Sequence, residues 1–145
     1  MTDGRYRVRT DGASRGNPGP SAIGVVIEDA SGSEVATHSE AIGRATNNVA
    51  EYRAVLQGLT MLLELGAEGA EFLLDSELVV RQLNGVYRVR DPKMAVLYQD
   101  ARRLAVRLGQ ITFRHVPRAE NFRADQLANE ALDRPKEGLG GGSSR

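Results

Sequence analysis

The 145-residue sequence predicts a mixed α/β fold: a five-stranded mixed sheet with helices on both faces. Three observations predict it. The first 43 residues carry three strand-like runs of alternating or apolar character, broken by small polar turn residues, which reads as an antiparallel meander. From Thr46 the apolar period lengthens from two residues to nearly four, the mark of an amphipathic helix. Two later apolar runs are each followed by helical patterning, the arrangement of a sheet covered by helices.

In chain order, Arg5, Arg7 and Arg9 alternate with Tyr6, Val8 and Thr10, so residues 5–10 form a first strand with Asp11 at its exit. "AIGVVIED" and "EVATHSEAI" supply two more strands, joined by the turn residues "ASGS". In "TNNVAEYRAVLQGLTMLLELGAEG", Val55, Leu59, Leu62 and Leu63 recur at helical spacing and Gly66 supplies the stop. Phe72–Leu74 reads as a short buried strand that hands over to a helix from about Ser76 to Leu83. Pro92 opens another helix, with Val96, Leu97, Leu104 and Leu108 on or near one side. "QITFRHV" is the last strand and "NFRADQLANEAL" the last helix. No internal repeat interrupts this order. Residues 1–134 therefore form one domain, and 135–145, with a Pro, a Gly run and paired Ser, read as a flexible tail or linker.

Composition narrows the function classes. Nineteen basic and nineteen acidic residues cancel, so no overall positive field advertises a polyanion, and any such ligand must bind locally. The chain has no Cys, which removes disulfides, thiolate metal sites and cysteine nucleophiles and fits a reducing cytosol. No apolar run approaches the roughly 20 residues of a membrane span. The expectation is a soluble, cytoplasmic chain with no membrane partner.

Four acids stand where packing favours apolar residues. Asp11 and Asp75 each follow a strand, the place where ligand crevices form in open α/β sheets. Glu51 lies at the edge of an apolar helical stripe, four residues before Val55, and Asp125 lies on the apolar side of the last helix, three before Ala128. Taken singly, two of them have plain explanations: Asp75 with Ser76 caps a helix, and Glu51 complements a helix N-terminus. A buried acid, however, costs several kcal/mol unless paired or metal-bound. All four can converge at one end of the sheet, where oxygen-only ligands would favour one or two Mg²⁺ or Mn²⁺ ions and suit phosphoryl transfer.

The motifs "TDGASRGNPGPSAIGVV", "TNNVAEYRAVLQGL", "LLDSELVVRQLNG" and "HVPRAENFRADQLANEAL" occur in the order and spacing of type 1 ribonucleases H, which the chain resembles from about Arg5 to Leu132. The resemblance implies a ribonuclease H-like fold and an endonuclease that cuts the RNA strand of an RNA/DNA hybrid, leaving 5′-phosphate and 3′-hydroxyl ends. It implies two divalent cations, Mg²⁺ or Mn²⁺, with Asp11 bridging both, Asp125 completing the site of the ion that activates water, and Glu51 and Asp75 holding the second. The loop Gly12, Ala13, Ser14, Arg15, Gly16 and Asn17 and the pair Asn47–Asn48 resemble the family's minor-groove readers, which test for ribose hydroxyls without reading sequence. Arg44 and Thr46 match positions that grip a DNA phosphate in some relatives, and Ser76 is expected to meet a 2′-hydroxyl. Set against this, the glycines with Asn17-Pro18-Gly19 make a turn, and Asn47 would cap a helix.

Two departures from the family pattern stand out. Arg118 occupies about the place of a loop His that many members carry before the last acid. The Lys- and Trp-rich protrusion of several relatives is reduced to "NGVYRVRDPKM", and the chain has no Trp, so hybrid binding is expected to be weaker and strongly salt-dependent. The chain is also similar to the N-terminal domain of bacterial proteins that fuse a ribonuclease H to a phosphatase-like domain, which implies such a domain after the tail; the domain itself is expected to be monomeric. The alternatives are a hybrid- or duplex-binding module with little turnover, or another metal-dependent nuclease on the same fold.

Overall fold

The computed structural model describes residues 5–134; the tail expected over 135–145 lies outside them. Strands β1 (Tyr6–Ser14), β2 (Gly19–Glu28) and β3 (Glu34–Ala45) form the antiparallel meander. Helix α1 (Asn47–Leu65) then crosses over to β4 (Gly69–Leu74), which pairs parallel to β1. Helices α2 (Glu77–Leu83) and α3 (Pro92–Leu108) lead to β5 (Gln110–His115), parallel to β4. A 3-10 turn, Arg118–Asn121, precedes α4 (Phe122–Asp133). The sheet order is β3-β2-β1-β4-β5, a five-stranded mixed sheet as the alternation and crossover patterns predict.

The helix boundaries follow from local chemistry. Thr46 Oγ1 accepts from the Val49 N–H at 3.2 Å to start α1, and Gly66, in the left-handed region, closes it with its N–H on the Leu62 and Leu63 carbonyls. Ser76 starts α2 by accepting from the Val79 N–H, and Asp91 followed by Pro92 starts α3. The sheet is covered on both sides. On one face Val8, Val25, Ile27 and Phe72 pack beneath Val55, Leu59 and Leu62 of α1. On the other, α4 lies so close to β2 that a Cβ on Gly24 would stand 2.1 Å from the Ala124 carbonyl oxygen. Among the described residues no helix is long and apolar enough to cross a membrane.

Three local expectations are corrected. Asp11 is not at the exit of β1: antiparallel pairing with β2 carries the strand on to Ser14, although parallel pairing with β4 stops at Arg9. Val96 faces solvent, because α3 buries the Met94, Ala101 and Leu108 line instead. Helix caps also differ from those foreseen: Ser76 caps α2 without Asp75, and Thr46 rather than Asn47 caps α1.

Candidate active site

Beyond Arg9, β1 runs on without β4 beside it, and the backbone groups freed on that side find side-chain partners. The Thr10 carbonyl accepts from Asn121 Nδ2 at 2.8 Å, and the Gly12 N–H donates to Glu51 Oε1 at 3.3 Å. The notch between the ends of β1 and β4 is thus lined by polar groups. Glu51 reaches it because α1 sits against β1: a Cβ on Gly12 would lie 2.2 Å from the Ala50 carbonyl carbon. Only a glycine permits that approach.

Asp11, Glu51 and Asp75 each offer a carboxylate oxygen to one group whose members all lie within 4.8 Å of one another. Asp11 and Glu51 are buried at 5 % and 8 % exposure, and Asp75 is half-buried. Asp125, on the first turn of α4, lies outside that group but close enough for its carboxylate to help raise Asp11. Burial, then the charges of Glu51 and Asp75, pushes the Asp11 carboxyl up to about 10. Burial and Asp75 push Glu51 up to about 8, against the pull of the Gly12 N–H. Asp75 is raised by burial too, opposed by Arg118 and by a hydrogen bond from Asn121. Such acids cannot all be ionised side by side without a compensating cation.

The donor set fits that cation. Four carboxylates with no nitrogen or sulfur ligand among them suit a hard divalent ion that takes oxygen ligands. Capping, the plain alternative for Asp75, is taken by Ser76; Glu51 lies beyond the first turn of α1, which holds no acid.

A cleft of about 400 Å³ opens over the cluster. Gly12, Ala13, Ser14, Arg15, Asn47 and Arg118 line it beside the four acids. Gly16 and Asn17 lie just outside; Asn17 nevertheless ties the loop to α1, since its Oδ1 accepts the Asn47 N–H at 3.0 Å. Ser14 Oγ donates to the Ala45 carbonyl at 3.0 Å and to the Gly16 carbonyl. Asn48, Thr46 and Ser76 do not line the cleft; the last two are engaged as caps. Arg44 lines a separate, larger cavity of about 620 Å³ between β3 and the end of α4, which holds none of the four acids. Two functional candidates escaped the sequence reading. Asn129 lines the cleft one turn after Asp125, a spacing of four that could have flagged it. Asn121 is fully buried, and its place as the last residue of the 3-10 turn gave no periodic signal.

A family model described as "Reverse transcriptase-like" matches residues 9–131. The bifunctional protein Rv2228c of Mycobacterium tuberculosis is 49% identical over 127 residues, covering 87% of this chain and 35% of that protein. The chain thus spans about a third of the length of the mycobacterial relatives it matches. The crystal structure of RNase H1 from the halophilic archaeon Halobacterium salinarum superposes with a TM-score of 0.88 at 46% identity, covering 90% of this chain and 98% of that one. LC11-RNase H1, solved in complex with RNA/DNA hybrid, gives a TM-score of 0.85 at 41% identity, covering 88% and 96%.

Proposed function

The chain belongs to the type 1 ribonuclease H family, and on that premise we propose that it is an endoribonuclease hydrolysing the RNA strand of RNA/DNA hybrids. One observation carries the reading: four acids, from β1, α1, the β4–α2 connection and α4, meet in a cleft whose rim is the end of β1 from Gly12 to Ser14 with Arg15 just beyond it. The hybrid seen with LC11-RNase H1 supports the substrate class.

Asp11, Glu51, Asp75 and Asp125 would hold two divalent cations, Mg²⁺ or Mn²⁺, with Asp11 common to both. When bound, such ions lower the pKa of an attacking water and stabilise the charge on the phosphate and the leaving oxygen, the chemistry a phosphodiester requires. The chain's own groups do the rest. Glu51, through the Gly12 N–H, fixes the cluster to the end of β1 that would meet the RNA. Gly12, Ala13 and Ser14 bring bare backbone and a short hydroxyl to the cleft rim, a surface suited to testing for 2′-hydroxyls in a shallow minor groove. Gly16, Asn17, Asn47 and Asn48 extend that surface, Ser76 sits beside Asp75 for a further ribose contact, and Arg44 with Thr46 would meet a DNA phosphate. Arg118, 81% exposed and 3.8 Å from Asp125, would place its guanidinium near the phosphate and neutralise part of the cluster. The products would carry 5′-phosphate and 3′-hydroxyl ends.

That one chain supplies all four acids supports a monomeric domain over 1–134, and the Pro, Gly and Ser content of 135–145 supports a linker there. The mycobacterial relative, by name a bifunctional protein, supports a further domain in a longer parent protein; a phosphatase-like character for it rests on the sequence resemblance, and composition supports the cytoplasm. The test is Asp11→Asn, which should abolish cleavage of the RNA strand while hybrid binding stays within a few-fold of wild type. Retained cleavage would remove Asp11 from the mechanism.

A further inference from the structure

A polar chain of four side chains runs from the substrate-reading loop to the last acid. Asp133 Oδ1 holds Arg15 Nη2 at 2.8 Å. The same Arg15 nitrogen donates to Asn129 Oδ1 at 3.4 Å. Asn129 Nδ2 in turn donates to Asp125 Oδ1 at 3.2 Å and to the Asp125 carbonyl at 3.0 Å. Asp125, Asn129 and Asp133 recur every four residues on α4, so one helix face presents all three.

The chemistry fixes which way the amide points. Guanidinium has donors only, so the Asn129 oxygen must face Arg15 and its NH₂ must face the carboxylate. Swapping the two would set oxygen against carboxylate and N–H against guanidinium, losing both bonds. Arg118 Nη2 approaches the same Asp125 oxygen at 3.8 Å. Both donors therefore address Oδ1, and neither engages Oδ2. The carboxylate is thus held through one of its two oxygens, by Asn129 from its own helix and by Arg118 from the segment before it.

We propose that Asn129 is a positioning residue that fixes the Asp125 carboxylate for cation binding, and that its contact with Arg15 ties this position to the loop that reads the substrate. The proposal rests on the functional reading above. A partner that orients a metal-ligating carboxylate typically governs metal affinity or activity by about 10- to 100-fold.

The test is Mg²⁺ titration of the free protein, by calorimetry or amide NMR shifts, together with steady-state cleavage of a hybrid. Asn129→Ala should fold normally, since Ala is the better helix former. It should weaken Mg²⁺ binding and lower kcat, each by about 10-fold, with KM within about twofold of wild type. Asn129→Asp keeps the size and the acceptor for Arg15 but cannot donate to Asp125, and kcat should fall at least as far. Unchanged Mg²⁺ affinity in Asn129→Ala, a change confined to KM, or full kcat in Asn129→Asp would each overturn the proposal. If the wild-type protein binds Mg²⁺ but cuts no hybrid, the functional reading fails, while the Mg²⁺ titrations still decide whether Asn129 positions Asp125.

Discussion

Replacing Asp11 with Asn should stabilise the metal-free protein at alkaline pH while destroying its activity. Asp11 and Glu51 hold their protons up to about 10 and about 8, chiefly because they are buried beside other acids. In the unfolded chain they release them near the ordinary carboxylate value. The folded state therefore binds more protons than the unfolded one from pH 4 or so upward, and stability falls as pH rises through that window, ending near 8 for Glu51 and near 10 for Asp11. Each pH unit costs about 1.4 kcal/mol per affected group, so Asp11 alone removes about 2–4 kcal/mol between pH 5 and pH 8 after allowing for relaxation and water entry. At roughly 3 °C per kcal/mol this amounts to a drop of about 6–12 °C in Tm. Circular-dichroism melts in EDTA at both pH values measure it. The wild-type Tm should fall from pH 5 to pH 8, the Asp11→Asn Tm should fall much less, and millimolar Mg²⁺ should restore the wild type at pH 8. A wild-type Tm that is flat or rising over this range, or a variant less stable than wild type at pH 8 without metal, would refute the reasoning.

Two further outcomes follow from the packing and charge of the cleft. Gly12→Ala places a methyl 2.2 Å from the Ala50 carbonyl carbon and 2.4 Å from the Glu51 nitrogen, so α1 must retreat by about 1 Å. Denaturant unfolding should show a loss of about 1–3 kcal/mol, and cleavage assayed well below Tm should drop about 100-fold because Glu51 moves with the helix. Arg118→Ala should leave Tm unchanged, since the side chain is 81% exposed, while hybrid binding weakens and the slope of log affinity against log salt shrinks by about one. An unaltered salt slope would remove Arg118 from the phosphate contacts.

How far the sequence could be read depended on what each residue's signal measured. The α1 stripe was legible because Val55, Leu59 and Leu62 bury one face, and all three are fully buried. Asp125 stood out as an acid in an apolar phase. The depth of Asp11 did not, because the polar run from Thr10 to Ser14 looks like a loop; its strand character comes from pairing with Ser21 to Val25 across the sheet, which no local pattern records. The phase of α3 was ambiguous for a related reason. Leu97 and Leu104 lie between two candidate faces, and only the contact of α3 with α1 selects the Met94–Ala101–Leu108 line over Val96. Asn121 was invisible because its work is to satisfy the Thr10 carbonyl, 111 residues away; Asn129 left only its spacing of four from Asp125, its other partner, Arg15, lying 114 residues away.

The central claim is tested most directly by cleavage of matched RNA/DNA, RNA/RNA, DNA/DNA and single-stranded RNA substrates with Mg²⁺, with Mn²⁺ and with EDTA. The account predicts cutting of the RNA strand of the hybrid alone, dependent on metal and leaving 5′-phosphate ends. Cleavage of DNA, or cleavage of the hybrid that persists in EDTA, would contradict it.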